Sequence, residues 1–218
     1  MMWDTPVEQT AKGRAMRRSK QETEQTHARI EAEAARQFRA RGLKATGIDD
    51  IMRQAGLTHG GFYAHFGNKE ALIVEACAAG FAQTQHKLRA AVRTAPAQGA
   101  LHAILNGYLS TSQRDHPEES CVLPTLAAEV AHSSPEVRTS FTQIIQAFLE
   151  YLEAVLPVTA ETQPTDDALA LLAGMVGTML LARASDDAEL SERLLRVNRA
   201  FYARAFAPSP LSGEDGMV

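Results

Sequence analysis

The chain has 218 residues, 45% of them hydrophobic, 6% aromatic and 22% charged, and its formal net charge is −4. This is the composition of a soluble globular protein that is long enough to bury a substantial core. The charge is uneven, because residues 1–69 carry 12 Lys/Arg and 8 Asp/Glu whereas residues 70–218 carry 10 and 18. A basic N-terminal third joined to an acidic remainder indicates that only the first part meets a polyanion.

The sequence also argues against secretion and membrane insertion. Its two cysteines favour a reducing cytoplasm over a disulfide framework. The N-terminus lacks the apolar run of a signal peptide. The longest uncharged apolar run, 15 residues at 168–182, is shorter than the roughly 20 residues that span a bilayer. We therefore expect a cytoplasmic protein without membrane contact.

Alanine is abundant and few runs resemble strands, so an all-α fold is predicted. We divide the chain into a mobile basic arm at 1–19, a helix-turn-helix domain at 20–67, a larger helical effector-binding and dimerisation domain at 68–207, and a disordered tail at 208–218. Apolar spacing in the second of these predicts a first helix from Lys20 to Arg41, closed by Gly42.

Residues 46–72 have the pattern of two short helices joined by a tight turn and followed by the start of a third, which is typical of a helix-turn-helix. Thr46 is expected to cap the first helix with its hydroxyl, and Thr58 the second, which is predicted to run to Phe66. Gly56 is expected to end the first helix in a left-handed conformation. Asn68 is expected to cap the third helix.

Gly60 and Gly61 stand next to each other inside the second of these helices. Each costs roughly 1 kcal/mol of helix stability relative to alanine. A close approach of this backbone to a phosphate or to the floor of a groove would account for them.

About a dozen positions here share one family pattern: Ala45-Thr46, Asp50-Ile51, Ala55-Gly56, Thr58, Gly60, Tyr63, His65-Phe66, Lys69-Glu70 and Leu72. They resemble the DNA-binding signature of TetR/AcrR-type transcriptional regulators. The resemblance implies that the helix from Thr58 to Phe66 enters the major groove, that Tyr63 and Lys69 hold phosphates, and that His59 faces base edges with the two glycines. The DNA-binding residues predicted on this basis are Lys44, Thr46, Thr58, His59, Gly60, Gly61, Tyr63, His65 and Lys69. Met52, His59 and Gly61 depart from the usual pattern of the family.

Further helices are predicted at 68–94, from about residue 100 to Asp115, from about residue 122 to His132 and from Pro135 onward. The last two, at about 166–184 and 187–206, are expected to form a four-helix interface with their twins in a homodimer, as the family resemblance also implies. The helix at 166–184 is apolar nearly all round, and Gly174 and Gly177 would let another backbone approach it closely. Burial of both helices inside a monomeric bundle is the alternative.

No enzymatic motif, cofactor or metal site is indicated. The resemblance implies an effector cavity in the second domain, and apolar residues with a few polar groups are its candidate lining: Phe81, His102, Leu105, Tyr108, Cys121, Leu126, Phe148, Met175 and Met179. Cys121 lies near a helix start, where the helix dipole lowers the pKa of a thiol. It is therefore also a candidate sensor of oxidants or electrophiles, with a buried structural thiol as the alternative.

The sequence thus predicts a dimeric, ligand-responsive regulator, most simply a repressor, that binds a palindromic double-stranded DNA operator and is released by a small-molecule effector or by thiol modification. A helical protein-interaction module that has kept the hairpin without binding DNA is the alternative from another class. A small-molecule enzyme is the third. Sequence-selective, salt-dependent DNA binding separates the first from the other two.

Overall fold

The computed structural model describes residues 6–96, 99–156 and 164–206, with backbone alone at 6–19 and 164. Over these ranges the chain is all-helical, which confirms the predicted fold class. The helices are α1 (Pro6–Arg41), α2 (Ile48–Gln54), a 3-10 helix (His59–Ala64), α3 (Lys69–Thr94), α4 (Ala100–Tyr108), α5 (Thr111–Asp115), a second 3-10 helix (Pro117–Glu119), α6 (Val122–Val130), α7 (Pro135–Glu153), α8 (Pro164–Ala184) and α9 (Ala188–Ala205).

Helix α1 begins at Pro6, not at Lys20 as predicted. A proline in the first turn has a backbone angle already suited to a helix, and most residues from 7 to 19 are good helix formers. The backbone of residues 6–19, which we assigned to a mobile arm, therefore continues α1. Residues 1–5, and the tail predicted at 208–218, lie outside the described residues.

The helix-turn-helix domain is built on one apolar stripe of α2. Ile51 and Met52 are buried, and they pack in the same core as Ile30, Phe38 and Phe62 from the neighbouring helices. Helix α2 contacts both α1 and the first 3-10 helix. This stripe therefore contributes to the core of the helix-turn-helix domain, which is called the head below.

Helix α3 joins the head to the second domain. It begins and ends where predicted, at Lys69 and Thr94, and it packs against α1 on one side and against α4 and α7 on the other. In the second domain its Phe81 ring lies 5.6 Å from that of Phe148 on α7, and Phe148 lies 5.8 Å from Tyr108 on α4. One continuous helix thus contributes to the cores of both parts.

The helix predicted from about residue 100 to Asp115 is interrupted. Helix α4 ends at Tyr108, and Ser110 caps the short α5 by accepting a hydrogen bond from the Gln113 amide at 3.2 Å. Serine side chains compete with the backbone in this way and favour helix starts over helix interiors. Two separate helices, α4 and α5, therefore take the place of the single predicted one.

Helix α8 packs against α7 and α9, and Leu171 and Met175 are fully buried on it. Among the described helices, the stretch Thr165–Ala184 is long and apolar enough to cross a membrane by length and composition. The core helix of a soluble protein passes the same test.

Gly174 does not make room for another backbone, as the sequence predicted. A Cβ atom built on Gly174 would lie 1.6 Å from the Tyr202 hydroxyl oxygen of α9, whereas Gly177 has no neighbouring atom within 4 Å. The glycine at 174 therefore makes room for a side chain of its own subunit. Gly177 alone keeps an open surface at this point of α8.

Candidate DNA interface

The turn between α2 and the segment that follows has the predicted glycine geometry. Gly56 has a φ of +69°, its amide donates to the Arg53 carbonyl at 3.0 Å, and the Leu57 amide donates to the Met52 carbonyl at 2.8 Å. A residue with a side chain is strained at such an angle. The prediction that Gly56 ends α2 is confirmed, as is the Asn68 cap, which accepts from the Ala71 amide at 2.8 Å.

The candidate recognition segment is a 3-10 helix and not the α-helix predicted from Thr58 to Phe66. The Gly61 amide donates to the Thr58 carbonyl at 3.1 Å, three residues back, and the Thr58 hydroxyl makes no capping bond. Two adjacent glycines weaken the α-helical alternative. Phe62 and Phe66, both buried, hold the segment against the core.

The outer side of this segment carries most of the predicted DNA-binding residues. Lys44, Thr58, His59, Gly60 and Tyr63 are exposed. Tyr63 is 61% exposed, the only large hydrophobic side chain described in the head that faces solvent to this degree. The structure therefore places Thr58, His59, Gly60 and Tyr63 on the accessible side of the 3-10 helix and its N-cap, whereas Lys44 lies in the turn after α1, where its amide donates to Glu129.

Tyr63 and His59 lie side by side there, with ring centroids 6.0 Å apart. The His59 ring contacts the carboxylate of Asp49 in the first turn of α2. No heavy atom lies within 4 Å of a Cβ built on Gly60, and the nearest to one on Gly61 is the Met52 methyl carbon at 3.7 Å. Nothing within the described chain thus requires glycine at 60 or 61.

Thr46 does not fit its predicted roles. Its side chain is 0% exposed, and its hydroxyl donates to the Gly42 carbonyl at 2.7 Å. Gly47 is the N-cap residue of α2, without a side-chain capping bond. The Thr46 side chain therefore fixes the turn after α1 and is not available to a phosphate.

Lys69 and His65 are half-buried. The Lys69 ammonium donates to the Leu43 carbonyl at 2.7 Å, and burial lowers its pKa while nearby Glu129 opposes that shift. The His65 ring lies 5.9 Å from His27 on α1. The side chains of Lys69 and His65, both predicted to bind DNA, thus contact other residues of the chain.

Sequence reasoning missed the contacts that join the helix-turn-helix domain to the second domain. Glu129, on α6, accepts hydrogen bonds from the Leu43 amide at 3.0 Å and the Lys44 amide at 2.9 Å. Arg39, only 5% exposed, donates to the Ser120 carbonyl at 3.0 Å and to the Gln83 amide oxygen at 2.9 Å. Partners 44 to 86 residues apart leave no local pattern, although a glutamate inside the apolar stretch of α6 was a partial signal.

The predicted effector-lining residues are core residues with one exception. His102 is exposed, because Leu101, Ile104 and Leu105 occupy the buried side of α4. The other eight are buried in one hydrophobic cluster. Tyr108 also lines a cavity of about 200 Å³ together with polar and apolar residues of α3 and α5.

Cys121 is fully buried at the N-cap of α6. Burial raises the pKa of its thiol and outweighs the opposing effects of the Leu123 amide, Tyr108, Arg183 and Arg39. The expected lowering of this pKa by the helix start is therefore wrong. Among the described residues, no group of three or more His, Cys, Asp or Glu is placed to hold a metal ion.

Comparison with known proteins agrees with this geometry. Residues 30–76 match the family described as bacterial regulatory proteins, tetR family, and residues 97–197 match a tetracyclin repressor-like C-terminal domain. The regulator TtgR of Pseudomonas putida is 43% identical over 58 residues, which are 27% of this chain and 28% of TtgR. YerO of Bacillus subtilis, an uncharacterised regulator, is 36% identical over 61 residues, which are 28% of this chain and 21% of YerO.

Two solved structures extend the similarity to the whole fold. A TetR-family regulator from Cytophaga hutchinsonii superposes with a TM-score of 0.74 at 20% identity, over 86% of this chain and 98% of that one. The reduced form of Escherichia coli NemR superposes with a TM-score of 0.71 at 21% identity, over 85% of this chain and 100% of NemR. With both of its domains matched, the chain belongs to the TetR family of DNA-binding transcriptional regulators.

Proposed function

We propose that the protein is a ligand-responsive repressor that binds a palindromic operator as a homodimer. The observation that carries the proposal is the accessible region around the 3-10 helix, where His59, Tyr63 and an unobstructed glycine pair face outward from a rigid helix-turn-helix core. Tyr63 and the exposed Lys44 would bind phosphates, while His59 and the backbone at 60–61 would approach base edges. Lys69 would contribute only after exchanging the Leu43 carbonyl for a phosphate.

The dimer is proposed from exposed apolar surface on the last two helices. Of the seven large hydrophobic side chains that are exposed in the described residues, six lie on α8 and α9: Leu169, Leu180, Leu181, Leu190, Val197 and Phe201. A soluble chain rarely leaves so much apolar surface uncovered. Pairing of α8 and α9 with their twins in a four-helix interface would cover it.

Such a dimer explains how one ligand could control two DNA-binding heads. The heads would meet successive major-groove segments about one helical turn apart, roughly 34–36 Å. An effector or thiol modification in the second domain would favour a subunit arrangement with a different spacing, and operator affinity would fall. Glu129 and Arg39 are the contacts through which the second domain would move the head. We place the protein in the cytoplasm, as is general for this family.

The test is fluorescence anisotropy of the full chain on labelled DNA from upstream of its own coding region, with a scrambled duplex as competitor and with salt titration. We expect selective binding with two subunits per site and a steep loss of affinity with salt. If affinity is weak and equal on both duplexes, selection from a random duplex library follows, and failure to enrich any sequence would refute the proposal.

The dimer is tested separately by analytical ultracentrifugation of wild type and of the double variant Leu181→Glu with Phe201→Glu. We expect the variant to sediment as a monomer and to lose operator affinity. Arg196→Glu on the exposed part of α9 is the charge control. A wild type that stays monomeric at micromolar concentration contradicts the interface.

The alternative from another class is a helical interaction module that does not bind DNA. The exposed apolar surface of α8 and α9 would serve such a module equally well. Absence of enrichment in the library selection, together with an intact dimer, would favour it.

A further inference from the structure

The guanidinium of Arg183, in the last turn of α8, has no counter-ion in the described chain. Its Nη2 atom donates to the Gln113 carbonyl and to the Ser120 hydroxyl, both at 2.6 Å. Its Nε and Nη1 atoms are out of contact with solvent and have no hydrogen-bond partner among the described residues. These two atoms carry three of the five N–H groups of an arginine.

The surroundings of Arg183 add positive charge and a buried hydroxyl group. Arg39 donates to the Ser120 carbonyl of the same short segment. The buried Tyr108 hydroxyl has the Cys121 thiol as its hydrogen-bonding neighbour and no nitrogen or oxygen partner among the described residues. It is close enough to Arg183 for each to affect the pKa of the other.

No carboxylate of the described residues forms an ion pair with Arg183, although the charge of Glu118 raises its pKa. The Glu118 carboxylate lies 3.3 Å from His116, and the Glu119 carboxylate lies 3.6 Å from Lys87. Burial lowers the pKa of Arg183, but an arginine remains protonated at neutral pH. The Nε and Nη1 atoms of this half-buried cation are closed to solvent and unpaired, so an anion that reached them would gain a strong interaction without breaking an ion pair.

Cavities lie on both sides of this cluster. The one of about 200 Å³ has Tyr108, Leu88, Ala91 and Gln113 in its lining. A cavity of about 420 Å³ next to it is lined by two arginines, two aspartates and residues around the end of α8: Arg114, Asp115, Pro117, Ala182, Arg183, Ser185, Asp186, Ala188 and Ser191. Only the short α5 and the residues after it separate the two. A cavity of about 150 Å³ already holds benzene, so the smaller space accommodates one ring with a small substituent.

We propose that the second domain binds a small carboxylate with an apolar body between Tyr108 and Arg183. The carboxylate is the missing counter-ion of Arg183 and accepts a hydrogen bond from the Tyr108 hydroxyl, while the apolar body lies against Leu88 and Ala91. The Nε and Nη1 atoms of Arg183 are out of contact with solvent. For the carboxylate to reach them, α5 moves outward on binding, and the hydrogen bond from Nη2 to the Gln113 carbonyl breaks. Binding of the carboxylate does not depend on the proposed function. Only its role as the effector rests on that function.

The experiment is isothermal calorimetry and thermal unfolding of the full chain with benzoate, salicylate and cinnamate, each paired with its uncharged amide. We expect at least one carboxylate to bind and raise the Tm with increasing concentration, while its amide does not. Arg183→Gln should weaken that binding at least ten-fold, and Arg183→Lys should retain part of it. Arg138→Gln is the matched control, because Arg138 is exposed on α7 and lines neither cavity.

If Arg183→Gln does not yield folded protein, Tyr108→Phe is the second test of the site. It removes only the hydroxyl oxygen atom and should weaken binding of the same carboxylate. The proposal is overturned if no carboxylate binds better than its amide, or if the folded Arg183 and Tyr108 variants bind it as wild type does. DNA is absent from these measurements, so their failure leaves the anisotropy test of the proposed function intact. Loss of DNA binding in that test would likewise leave carboxylate binding standing.

Discussion

The contact between Glu129 and the turn after α1 allows a quantitative test of how the two domains are joined. The Glu129 carboxylate accepts from the amides of Leu43 and Lys44 at 3.0 and 2.9 Å. Hydrogen bonds to a charged group contribute about 1.5–3 kcal/mol each. The bond to Lys44 is exposed, so water replaces part of it, and we expect Glu129→Ala to lower the free energy of unfolding by about 2 kcal/mol.

For a chain of this length, a loss of about 2 kcal/mol lowers the Tm by roughly 4–8 °C. Glu129→Gln should lose about half as much, because its amide oxygen replaces one of the two acceptors. The assay is thermal and urea unfolding followed by circular dichroism. Glu150→Ala is the matched control, since that carboxylate is exposed on α7. If Glu129→Ala melts within about 1 °C of this control, the carboxylate does not stabilise the junction and the reasoning fails.

Three further predictions concern the turn, the interface and the thiols. Gly56→Ala should cost about 1–2 kcal/mol because of its positive φ, whereas Gly47→Ala, which also has open space around it and an ordinary φ, should be nearly neutral in urea unfolding. In anisotropy titrations, Tyr63→Ala should weaken operator and random duplexes alike and flatten the salt dependence, while His59→Ala should change operator preference; equal losses for both variants on both duplexes contradict this division. Burial raises the pKa of Cys77 to about 12 from 9.0, so the folded state keeps a proton that the unfolded state loses, and stability should fall as pH rises from about 9 towards 12. Iodoacetamide at pH 8 should leave Cys77 unmodified in the folded chain, and rapid labelling there would contradict its burial.

The features that the sequence predicted correctly are those encoded within a few residues. The glycines at 42 and 56 end their helices with positive φ, Asn68 caps α3, and α3 runs from Lys69 to Thr94 as its spacing predicted. Each depends on local backbone chemistry or on helical periodicity, both of which are visible in a short window. The helix-turn-helix and the family followed from such windows.

Other features depend on contacts between distant parts of the chain. Thr46 looked like a helix cap, but burial of the turn directs its hydroxyl to Gly42. Gly174 makes room for Tyr202 instead of for a partner, and the Glu129 bond to Leu43 joins residues 86 positions apart. The solvation and partners of a polar group are set by what packs around it. Packing of α4, α6 and α8 likewise buries the thiol of Cys121 and the Nε and Nη1 atoms of Arg183. No local sequence pattern indicates this burial.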